Sequence, residues 1–588
     1  MELYPVDGNY ILSNKRAIKK RLLEKGNFLE KKIAILSGTT IGEIKNILEL
    51  FLLDYGIKPE FLVGDYGRFF EEAVFEQERL KEFGPDVIFV QSGIHNLDLP
   101  GAGCSVDEAE KKLDTAKGKF SAVWDAAEKL GAVLIQNNFE YPRIRPMGNF
   151  DAVDVSGKVR FVAEMNAFVA ERARTHRGFY LNDINYLSAW YGLDRWSDPS
   201  YYNSYKYQQA PEAIPYLCKS VADIIKSIYG KNQKALMLDL DNTLWGGVIG
   251  DDGVEGIAIG TEAPGGIAYL DMQKYAKELT GMGVVLGVVS KNEDKAARSG
   301  FDHPSSVLKT DDFAVFLANW NDKAGNIQSA AKMLNIGVDA IVFADDNPAE
   351  REIVRAAKTG AEVPELDSPE RFAETVARGG YFEVTSLSDD DRRRAEMYKQ
   401  NAQRAAELSS FADYGQYLDS LEMTGYIKPF TEGALERVTA LANKTNQFNL
   451  TTKRYTAEEM EERMKSERFI TLSGRLEDKF GDNGIVTEII GDTSGDTLDI
   501  ELWIMSCRVF KRELEYAMFD ELVAACKAKG IKKITGSYYR TAKNPIVAEF
   551  YGELGFTKLE GDDDHSKWEY NIPDEYVNRN THMEVKND

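Results

Sequence analysis

Uninterrupted apolar runs mark the middle of this chain, and each of them ends in polar residues. Residues 235–238, 284–289 and 341–344 are continuous rather than alternating in hydrophobicity. Such runs are typical of strands that lie in a parallel sheet with helices on both of its faces. Residues 226–385 are therefore predicted to form one α/β domain with a central parallel sheet.

The first 225 residues show a similar alternation. Residues 32–36 (KIAIL) are strand-like, with Ser37 directly after them, and a helical pattern follows at once. Residues 87–90 and 133–135 are further strand-like runs, with amphipathic segments between them. Strands that alternate with helices predict a second parallel sheet, of the flavodoxin-like kind, in residues 1–225.

Charged residues replace the apolar runs after about residue 384. The segment 386–404 is rich in Asp and Arg and is predicted to be an exposed connecting helix. In residues 405–575, a strand, a turn, a long helix and another strand predict a third domain, of the α+β kind. Residues 576–588 are predicted to be a polar tail. The chain is thus expected to be a multi-domain α/β protein.

The composition is that of a globular protein with an acidic surface. Of 588 residues, 43% are hydrophobic and 28% are charged, and the formal net charge is −23. This length predicts roughly three or four domains. The negative charge argues against a general nucleic-acid binder, which needs a basic surface.

No segment predicts a membrane anchor or a metal site built from cysteines. Residues 1–20 lack the apolar core of a signal peptide, and no apolar run approaches the length that spans a bilayer. The four cysteines, Cys104, Cys218, Cys507 and Cys526, have neither metal-ligand spacing nor the pattern of a secreted disulfide framework. We expect a cytoplasmic protein with reduced thiols that does not bind membranes.

Acidic and hydroxyl residues follow the three central strands, at the edge where open parallel sheets bind ligands. Asp239 and Asp241 follow the first strand, Ser290 follows the second, and Asp345 and Asp346 follow the third. Neighbouring carboxylates repel each other unless a cation lies between them, and hard oxygen ligands favour Mg²⁺. One carboxylate can attack phosphorus while another transfers a proton to the leaving group. These residues predict magnesium-dependent chemistry on a small phosphorylated substrate.

This order of segments resembles the haloacid dehalogenase (HAD) superfamily of phosphotransferases, whose core is a Rossmann-like sheet. The resemblance implies that Asp239 is a nucleophile that forms an aspartyl-phosphate, and that Asp241 is the general acid and base. The phosphate-binding residues that it implies are Thr243, Ser290, Lys291, Asn292 and Lys323. The magnesium ligands that it implies are Asp239, Asp241, Asp345 and Asp346. Of the last two, Asp346 is favoured as the direct ligand because Glu350 lies four residues beyond it.

Three longer segments resemble one branch of that superfamily, the FkbH-like proteins of HAD subfamily IIIC. They are LDNTLWGGVIGDDG with the EGIAIG that follows it, WSDPSYYNSYKYQQAPEAIPYLCKS before the first central strand, and LANKTNQFNLTTKRY at residues 441–455. The resemblance covers essentially the whole chain. It implies a protein that transfers a glyceryl group from 1,3-bisphosphoglycerate to the thiol of an acyl-carrier protein.

The N-terminal domain resembles SGNH-type hydrolases without their catalytic base. The resemblance implies Ser37 as the nucleophile, Gly64 or Gly67 as an oxyanion glycine and Asn138 as the oxyanion asparagine. The Asp-x-x-His motif of these enzymes is replaced by Asp-Pro-Ser-Tyr at residues 198–201, and the nearby histidines, His95 and His176, lie elsewhere. Since a serine needs a base to become a nucleophile, we expect a degenerate domain in which Ser37 caps the following helix.

The C-terminal domain resembles GNAT acetyltransferases with an altered cofactor turn. In these enzymes a turn with two glycine positions binds the CoA pyrophosphate. Residues 508–513 of this chain read RVFKRE, so Lys511 and Glu513 stand at those two positions. Without glycines the backbone cannot approach a pyrophosphate closely, and Glu513 repels it. The cleft is expected to receive the phosphopantetheine arm of a carrier protein instead.

Cys507 is the candidate acyl acceptor and a third candidate catalytic residue beside Asp239 and Asp241. It lies between a strand and a helix and next to Arg508, Lys511 and Arg512, and both features favour a thiolate. The alternative is a buried structural cysteine. Cys104 is expected in a loop, and Cys218 and Cys526 are expected to pack on helix faces.

Two functions remain open at this point. The first is a Mg²⁺-dependent phosphatase that also transfers an acyl group to a carrier protein. The second is a plain HAD phosphatase that acts on a sugar phosphate or a polysaccharide precursor. A scaffold without enzyme activity is disfavoured, because the HAD motifs are intact while those of the neighbouring domains have changed.

Overall fold

The computed structural model describes residues 1–387, 392–408, 411–506, 508–541, 543–562 and 564–587. The chain divides into two compact units. The first comprises Met1–Ile228 and Thr456–Glu458, and the second comprises Tyr229–Tyr455 and Glu459–Asp588. The finer domain boundaries that the sequence suggests within the second unit stay predictions.

The first unit is built on a five-stranded parallel sheet. Its strands are β1 (Leu29–Ser37), β2 (Ile57–Val63), β3 (Val87–Gln91), β4 (Val133–Asn137) and β5 (Phe179–Asn182). Their spatial order is β2-β1-β3-β4-β5, which is the flavodoxin-like order. The predicted α/β fold class is confirmed, and β1 and β4 each extend beyond the predicted apolar run into polar residues.

Helices cover both faces of this sheet. Those of the first unit are Gly8–Leu23, Gly42–Asp54, Phe69–Val74, Glu78–Phe83, Val106–Glu128, Lys158–Thr175, Ile184–Tyr191, Leu193–Trp196, Pro199–Tyr205 and Ile214–Ile228. Short 3₁₀ turns lie at Ile94–Asn96, Gly148–Ala152 and Pro211–Ala213. Ser105 caps the longest helix by accepting a hydrogen bond from the N–H of Glu108.

The second unit contains a four-stranded parallel sheet with the order β8-β7-β6-β9. Its strands are β6 (Ala235–Leu238), β7 (Val285–Ser290), β8 (Phe313–Ala318) and β9 (Ile341–Ala344). The helices around it are Ile249–Gly256, Gly266–Gly281, Asp294–Ser299, Lys323–Leu334, Pro348–Ala356 and Phe372–Arg378. Strand β8 was not among the predicted strands. It lies at the sheet edge and buries its residues only in part, so its pattern is weaker.

The connecting helix runs over Arg394–Leu408 and is more buried than predicted. Met397, Tyr398 and Arg404 are buried, and Tyr398 packs into the core of the β6–β9 sheet. Arg404 donates two hydrogen bonds to the carboxylate of Asp478, at 2.8 and 2.7 Å. The helix is therefore a packed element rather than an exposed one. Residues 388–391 of the predicted segment lie outside the described part of the chain.

A larger, mostly antiparallel sheet follows in the same unit. Its strands are β10 (Met423–Lys428), β11 (Phe448–Asn449), β12 (Phe469–Asp478), β13 (Gly481–Ser494), β14 (Thr497–Met505), β15 (Lys533–Tyr539), β16 (Thr557–Gly561), β17 (His565–Asn571) and β18 (Met583–Lys586). The helices are Tyr414–Ser420, Leu435–Lys444, Ala457–Lys465, Leu514–Ala528 and Phe550–Glu553. Instead of a free polar tail, residues 583–586 form β18, which pairs with β10, because Met583 is buried against the core.

Each helix in the described part of the chain is too short or too polar to cross a bilayer.

Candidate functional site

The central sheet of the second unit brings the predicted acidic and hydroxyl residues to one edge. Strand β6 pairs in parallel with β7 on one side and with β9 on the other, and Leu238 lies opposite both Val288 and Ala344. Asp239, which follows β6, therefore lies between the ends of β7 and β9. Its backbone N–H donates to the carbonyl of Ala344 at 3.0 Å.

Three carboxylates converge at this edge. Oxygen atoms of Asp239, Asp345 and Asp346 lie within 4.8 Å of one another. Asp239 and Asp345 are buried. The hydroxyl of Thr243 donates to Asp346 Oδ1 at 3.1 Å and accepts from the Asp346 N–H at 3.1 Å, which fixes this residue in place. Clustered carboxylate oxygens are the ligand set that suits Mg²⁺.

Lys323 supplies a buried ammonium to the carboxylate cluster. Its Nζ lies 2.9 Å from Asp239 Oδ2 and 2.5 Å from Asp345 Oδ2. It is the first residue of helix Lys323–Leu334, which Asp322 caps by accepting from the Gly325 N–H. The cap sets the direction of the first turn and with it the direction of the lysine side chain.

Burial raises the pKa of all three carboxyls. The pKa of Asp239 rises to about 6 through desolvation and the nearby Asp345, against the lowering effects of Lys323 and of the Ser290 hydroxyl. Desolvation likewise raises the pKa of Asp345 and of Asp346. Three carboxylates and one ammonium leave an excess of negative charge in a desolvated space. A divalent cation would neutralise that excess, so the residues present fit Mg²⁺.

The carboxylate of Asp241 lies outside the three-carboxylate cluster. It accepts hydrogen bonds from Trp245 Nε1 at 2.9 Å, from the Ile249 N–H at 3.0 Å and from Asn292 Nδ2 at 2.9 Å. These contacts suit the predicted acid and base. The other predicted role of Asp241, as a carboxylate ligand of magnesium, stays a prediction.

The residues after β7 have different surroundings. Asn292 Nδ2 donates to Ser290 Oγ at 3.2 Å and to Asp241 Oδ2 at 2.9 Å. The amide thus bridges Ser290, the predicted phosphate ligand, and Asp241, the predicted acid. Lys291 instead pairs with Glu350, at 2.6 Å between Nζ and Oε1. To bind a phosphate, Lys291 would therefore have to break its ion pair with Glu350 or contact both groups at once.

Two supporting residues were missed in the sequence. Trp245 holds Asp241, and Arg351 donates to the carbonyl oxygens of Asp345 and Asp346 at 2.9 and 2.7 Å. Arg351 is buried and fixes the backbone that carries both acids. The only signal in the sequence was its position in the helix that begins directly after these acids.

Among the described residues, no histidine contacts Ser37. Ser37 Oγ donates to the carbonyl of Thr39, and the helix Gly42–Asp54 has no side-chain cap, so the expected capping role of Ser37 is wrong. His95 stacks on the ring of Tyr202 at 3.5 Å between centroids.

The other predicted residues of that domain have structural partners. Asn138 Nδ2 donates to Asp183 at 2.7 Å, and Asp198 caps a helix by accepting from the Ser200 N–H. At Gly64 a Cβ atom would lie 2.2 Å from Glu72 Oε2, so this glycine is explained by packing.

Cys507 lies outside the described residues, but its neighbours are defined. Arg508 and Arg512 are buried, and Arg512 donates to Asp478 at 3.2 Å and to the carbonyl of Arg508 at 2.8 Å. Lys511 and Glu513 have φ values of 66° and 63°, in the region that favours glycine. The turn thus keeps a glycine-like backbone, which the sequence did not predict, although long side chains stand at both positions.

The gap between β14 and β15 is filled by the chain itself. These strands pair in parallel only over residues 497–500 and 533–536. Where they part, Phe448 and Asn449 pair with β14, and the N–H of Tyr539 donates to the carbonyl of Leu450 at 2.9 Å. The backbone groups that would line a cleft between these strands are therefore already satisfied by residues 448–450.

The remaining cysteines are poor nucleophiles or lie in loops. Burial raises the pKa of Cys526 to about 12 and raises the pKa of Cys218 as well, which disfavours both thiolates. Cys104 is partly buried in the loop before helix Val106–Glu128, as predicted.

A solved structure from Bacteroides fragilis is similar to most of this chain. It is the N-terminal part of the protein BF1531 from Bacteroides fragilis, which contains a phosphatase domain and was crystallised in complex with Mg. The identity is 30%, the similarity covers 63% of this chain and 98% of that chain, and the TM-score is 0.59.

Weaker likenesses concern about a quarter of the chain. The ribosomal-protein-S18-alanine N-acetyltransferase from Escherichia coli is 12% identical over 27% of this chain and 100% of its own, with a TM-score of 0.21. The GNAT domain of S. lividans PAT is 13% identical over 25% of this chain and 89% of its own, with a TM-score of 0.21. Neither likeness bears on function. No protein-family model matches this sequence, and no curated protein is similar to it.

Proposed function

Because this chain belongs to the family of the Bacteroides fragilis phosphatase-domain protein, we propose that it is a Mg²⁺-dependent phosphatase or phosphotransferase of the HAD type. The observation that carries the proposal is the contact of the Lys323 ammonium with Asp239 and Asp345, beside Asp346 and at the carboxyl ends of the strands. An ammonium and clustered carboxylates can together hold a cation and a phosphate.

Each group has a role in this reaction. Asp239, Asp345 and Asp346 would hold Mg²⁺, which supplies neutralising charge to a bound phosphate. A carboxylate oxygen of Asp239 attacks phosphorus, and the leaving-group oxygen takes a proton from Asp241. A water molecule then attacks phosphorus and gives a proton to Asp241, while the bond from phosphorus to Asp239 breaks and inorganic phosphate leaves. Ser290, Asn292 and Lys323 would bind phosphate oxygens.

Release of inorganic phosphate tests this proposal. The full-length protein is incubated with p-nitrophenyl phosphate, an acyl phosphate and a set of sugar phosphates, each with Mg²⁺ or with EDTA. We expect phosphate release that requires Mg²⁺. Equal release with EDTA, or no release from any substrate, would contradict the proposal.

A finer proposal follows from the FkbH-like segments. They support 1,3-bisphosphoglycerate as the phosphorylated donor and the thiol of an acyl-carrier protein as the final acceptor of glyceryl. In this reaction a cysteine thiolate attacks the acyl carbon, the bond from carbon to the phosphate oxygen breaks and phosphate leaves. The remaining phosphate ester is hydrolysed at the Asp239 site, which releases a second phosphate and leaves a glyceryl thioester. The carrier thiol then takes the acyl group and returns a thiol to the cysteine. The alternative is a plain phosphatase that acts on a sugar phosphate or a polysaccharide precursor.

Intact mass spectrometry distinguishes these two functions. With 1,3-bisphosphoglycerate and Mg²⁺, the transfer proposal predicts a glyceryl adduct that is lost in Cys507→Ala and retained in Cys104→Ala and Cys526→Ala. Arg508 and Arg512 are buried, so a carrier that docks beside this turn would have to use the exposed Lys511. Lys527 and Lys532 are exposed as well, but they lie at the far end of helix Leu514–Ala528 and just before β15. Phosphate release without an adduct or carrier loading favours the plain phosphatase.

A further inference from the structure

The loop after β6 folds back onto the carboxylate of Asp241. Trp245 and Ile249 both donate to Oδ1, the first through its indole N–H at 2.9 Å and the second through its backbone N–H at 3.0 Å. Oδ2 accepts only from Asn292, at 2.9 Å, among the described contacts. The two oxygens of one carboxylate therefore have unequal surroundings.

This inequality decides which oxygen can carry a proton. Each carboxylate oxygen has about two lone pairs, so two N–H donors fill Oδ1, whereas Oδ2 keeps one lone pair. We infer that Trp245 and the Ile249 N–H are positioning groups that occupy Oδ1 of Asp241 and reserve Oδ2 for proton transfer to the leaving group. The inference rests on the proposed phosphatase function and adds two positioning groups to it.

The indole has no freedom to turn away from Asp241. Trp245 is fully buried, and its ring meets that of Phe301 edge to face, with 5.2 Å between centroids and 74° between planes. On another side, a Cβ atom at Gly300 would lie 2.6 Å from the indole. A ring that is held on several sides keeps its N–H directed at Asp241, which holds the carboxylate in one orientation.

The chemistry shows where this orientation matters. As Asp239 attacks, the bond from phosphorus to the leaving oxygen breaks, and that oxygen takes the proton of Asp241 Oδ2. An alkoxide is a poor leaving group and needs this proton, whereas p-nitrophenolate leaves without it. A misplaced Asp241 should therefore slow alkyl phosphates much more than p-nitrophenyl phosphate.

Two variants each remove one of the donors to Oδ1. Trp245→Phe removes the indole N–H and keeps an aromatic ring. Ile249→Pro removes a backbone N–H at the first position of helix Ile249–Gly256, where proline is tolerated. Val248, with φ −114° and ψ 111°, already has the extended conformation that precedes proline.

The measurement is the ratio of kcat/KM for glycerol phosphate to kcat/KM for p-nitrophenyl phosphate. This parameter reports the steps up to phosphoenzyme formation, where the leaving group departs. We expect the ratio to fall by about 10-fold or more in each variant, within the range that general acid catalysis contributes. Phe301→Leu is the control, since it loosens the packing around the indole and keeps the N–H, and it should lower the ratio less than Trp245→Phe does.

The outcomes separate this inference from the proposed function. If the wild-type protein is active and Asp239→Asn is inactive, but the ratio is unchanged in Trp245→Phe and Ile249→Pro, the positioning role is wrong and the phosphatase stands. A fall of the ratio in Phe301→Leu equal to that in Trp245→Phe also overturns the inference, because packing alone would then explain it. If a thermal melt shows that Trp245→Phe does not fold, Ile249→Pro decides the question.

Discussion

Lys323 and Asp239 form a buried ion pair at the edge of the central sheet, with 2.9 Å between Nζ and Oδ2. The same ammonium lies 2.5 Å from Asp345, so one cation serves two carboxylates. Burial alone would lower the pKa of Lys323, but Asp239 and Asp345 raise it above its usual value. The arrangement is stable only while each of these charges has its partners, which makes the site sensitive to single substitutions.

Asp239→Asn should abolish phosphate release. An amide is a poor nucleophile and a poorer Mg²⁺ ligand than a carboxylate. We expect kcat to fall at least about 10³-fold in a phosphate-release assay with p-nitrophenyl phosphate, as for other nucleophile replacements. Asp302→Asn, at an exposed position of the same domain, is the control and should keep full activity. Full activity of Asp239→Asn would remove the basis of the proposed chemistry.

Lys323→Met should make the fold depend on magnesium. The substitution keeps the length of the side chain and leaves two buried carboxylates without their ammonium. We expect the melting temperature in EDTA to fall by several degrees, because an unpaired buried charge costs about 3–5 kcal/mol. Mg²⁺ should raise the melting temperature of the variant more than that of the wild type. An equal effect of Mg²⁺ on both proteins would argue against a cation site between these carboxylates.

Asp346→Asn should weaken magnesium binding without removing the nucleophile. The amide oxygen remains a ligand, but it carries no charge, so the metal site loses affinity. We expect the Mg²⁺ concentration for half-maximal activity to rise about 10-fold or more, with slower turnover at saturation. Glu350→Gln serves as the comparison, because Glu350 pairs with Lys291 rather than with the carboxylate cluster. A larger effect of Glu350→Gln would assign the metal to a different pair of acids.

The central strands were predictable because their residues are buried on both faces. The sequence predicted 235–238 and 341–344, and β6 and β9 span these residues. A continuous apolar run leaves few alternatives for such short segments. Strand β8 was not predicted, because its pattern of buried and half-buried residues resembles that of an ordinary amphipathic segment.

Contacts between distant parts of the chain could not be predicted. Arg404 and Asp478 are 74 residues apart, and neither lies in a motif that indicates a partner. The two residues of β11 are too few to produce a strand pattern, although they fill the gap beside β14. In the same way, Trp245 was visible as part of a family segment, but its contact with Asp241 depends on how the loop folds.

Asp478→Ala should destabilise the second unit strongly. Asp478 is buried and pairs with two buried arginines, Arg404 at 2.7 Å and Arg512 at 3.2 Å. Its removal leaves two guanidinium groups without a counter-charge, which costs about 3–5 kcal/mol. The measurement is urea unfolding followed by circular dichroism, with Asp496→Ala in an exposed turn as the control. A loss below about 1 kcal/mol would mean that solvent reaches these arginines.

Glu488→Gln should stabilise the protein at alkaline pH but not at acidic pH. Glu488 lies in β13 opposite Ser473 and Ile504, is fully buried, and has no hydrogen-bond partner for either carboxylate oxygen in the described structure. Burial raises its pKa well above the usual value, and the nearby Arg437 acts in the opposite direction. The protonated form is therefore the one that the fold accommodates.

The sign of the pH dependence follows from this shift. A carboxyl whose pKa is higher in the folded state than in the unfolded state contributes stability below its unfolded pKa of about 4.5, and that contribution is lost as the pH rises through the folded pKa. Glutamine does not ionise and keeps its contribution. The melting temperature of Glu488→Gln minus that of the wild type should thus increase between pH 5 and pH 8, by about 2 °C or more. Glu477→Gln, at a half-exposed position of β12, is the control and should show no such trend. If the difference for Glu488→Gln were constant with pH, Glu488 would be ionised in the folded protein throughout this range.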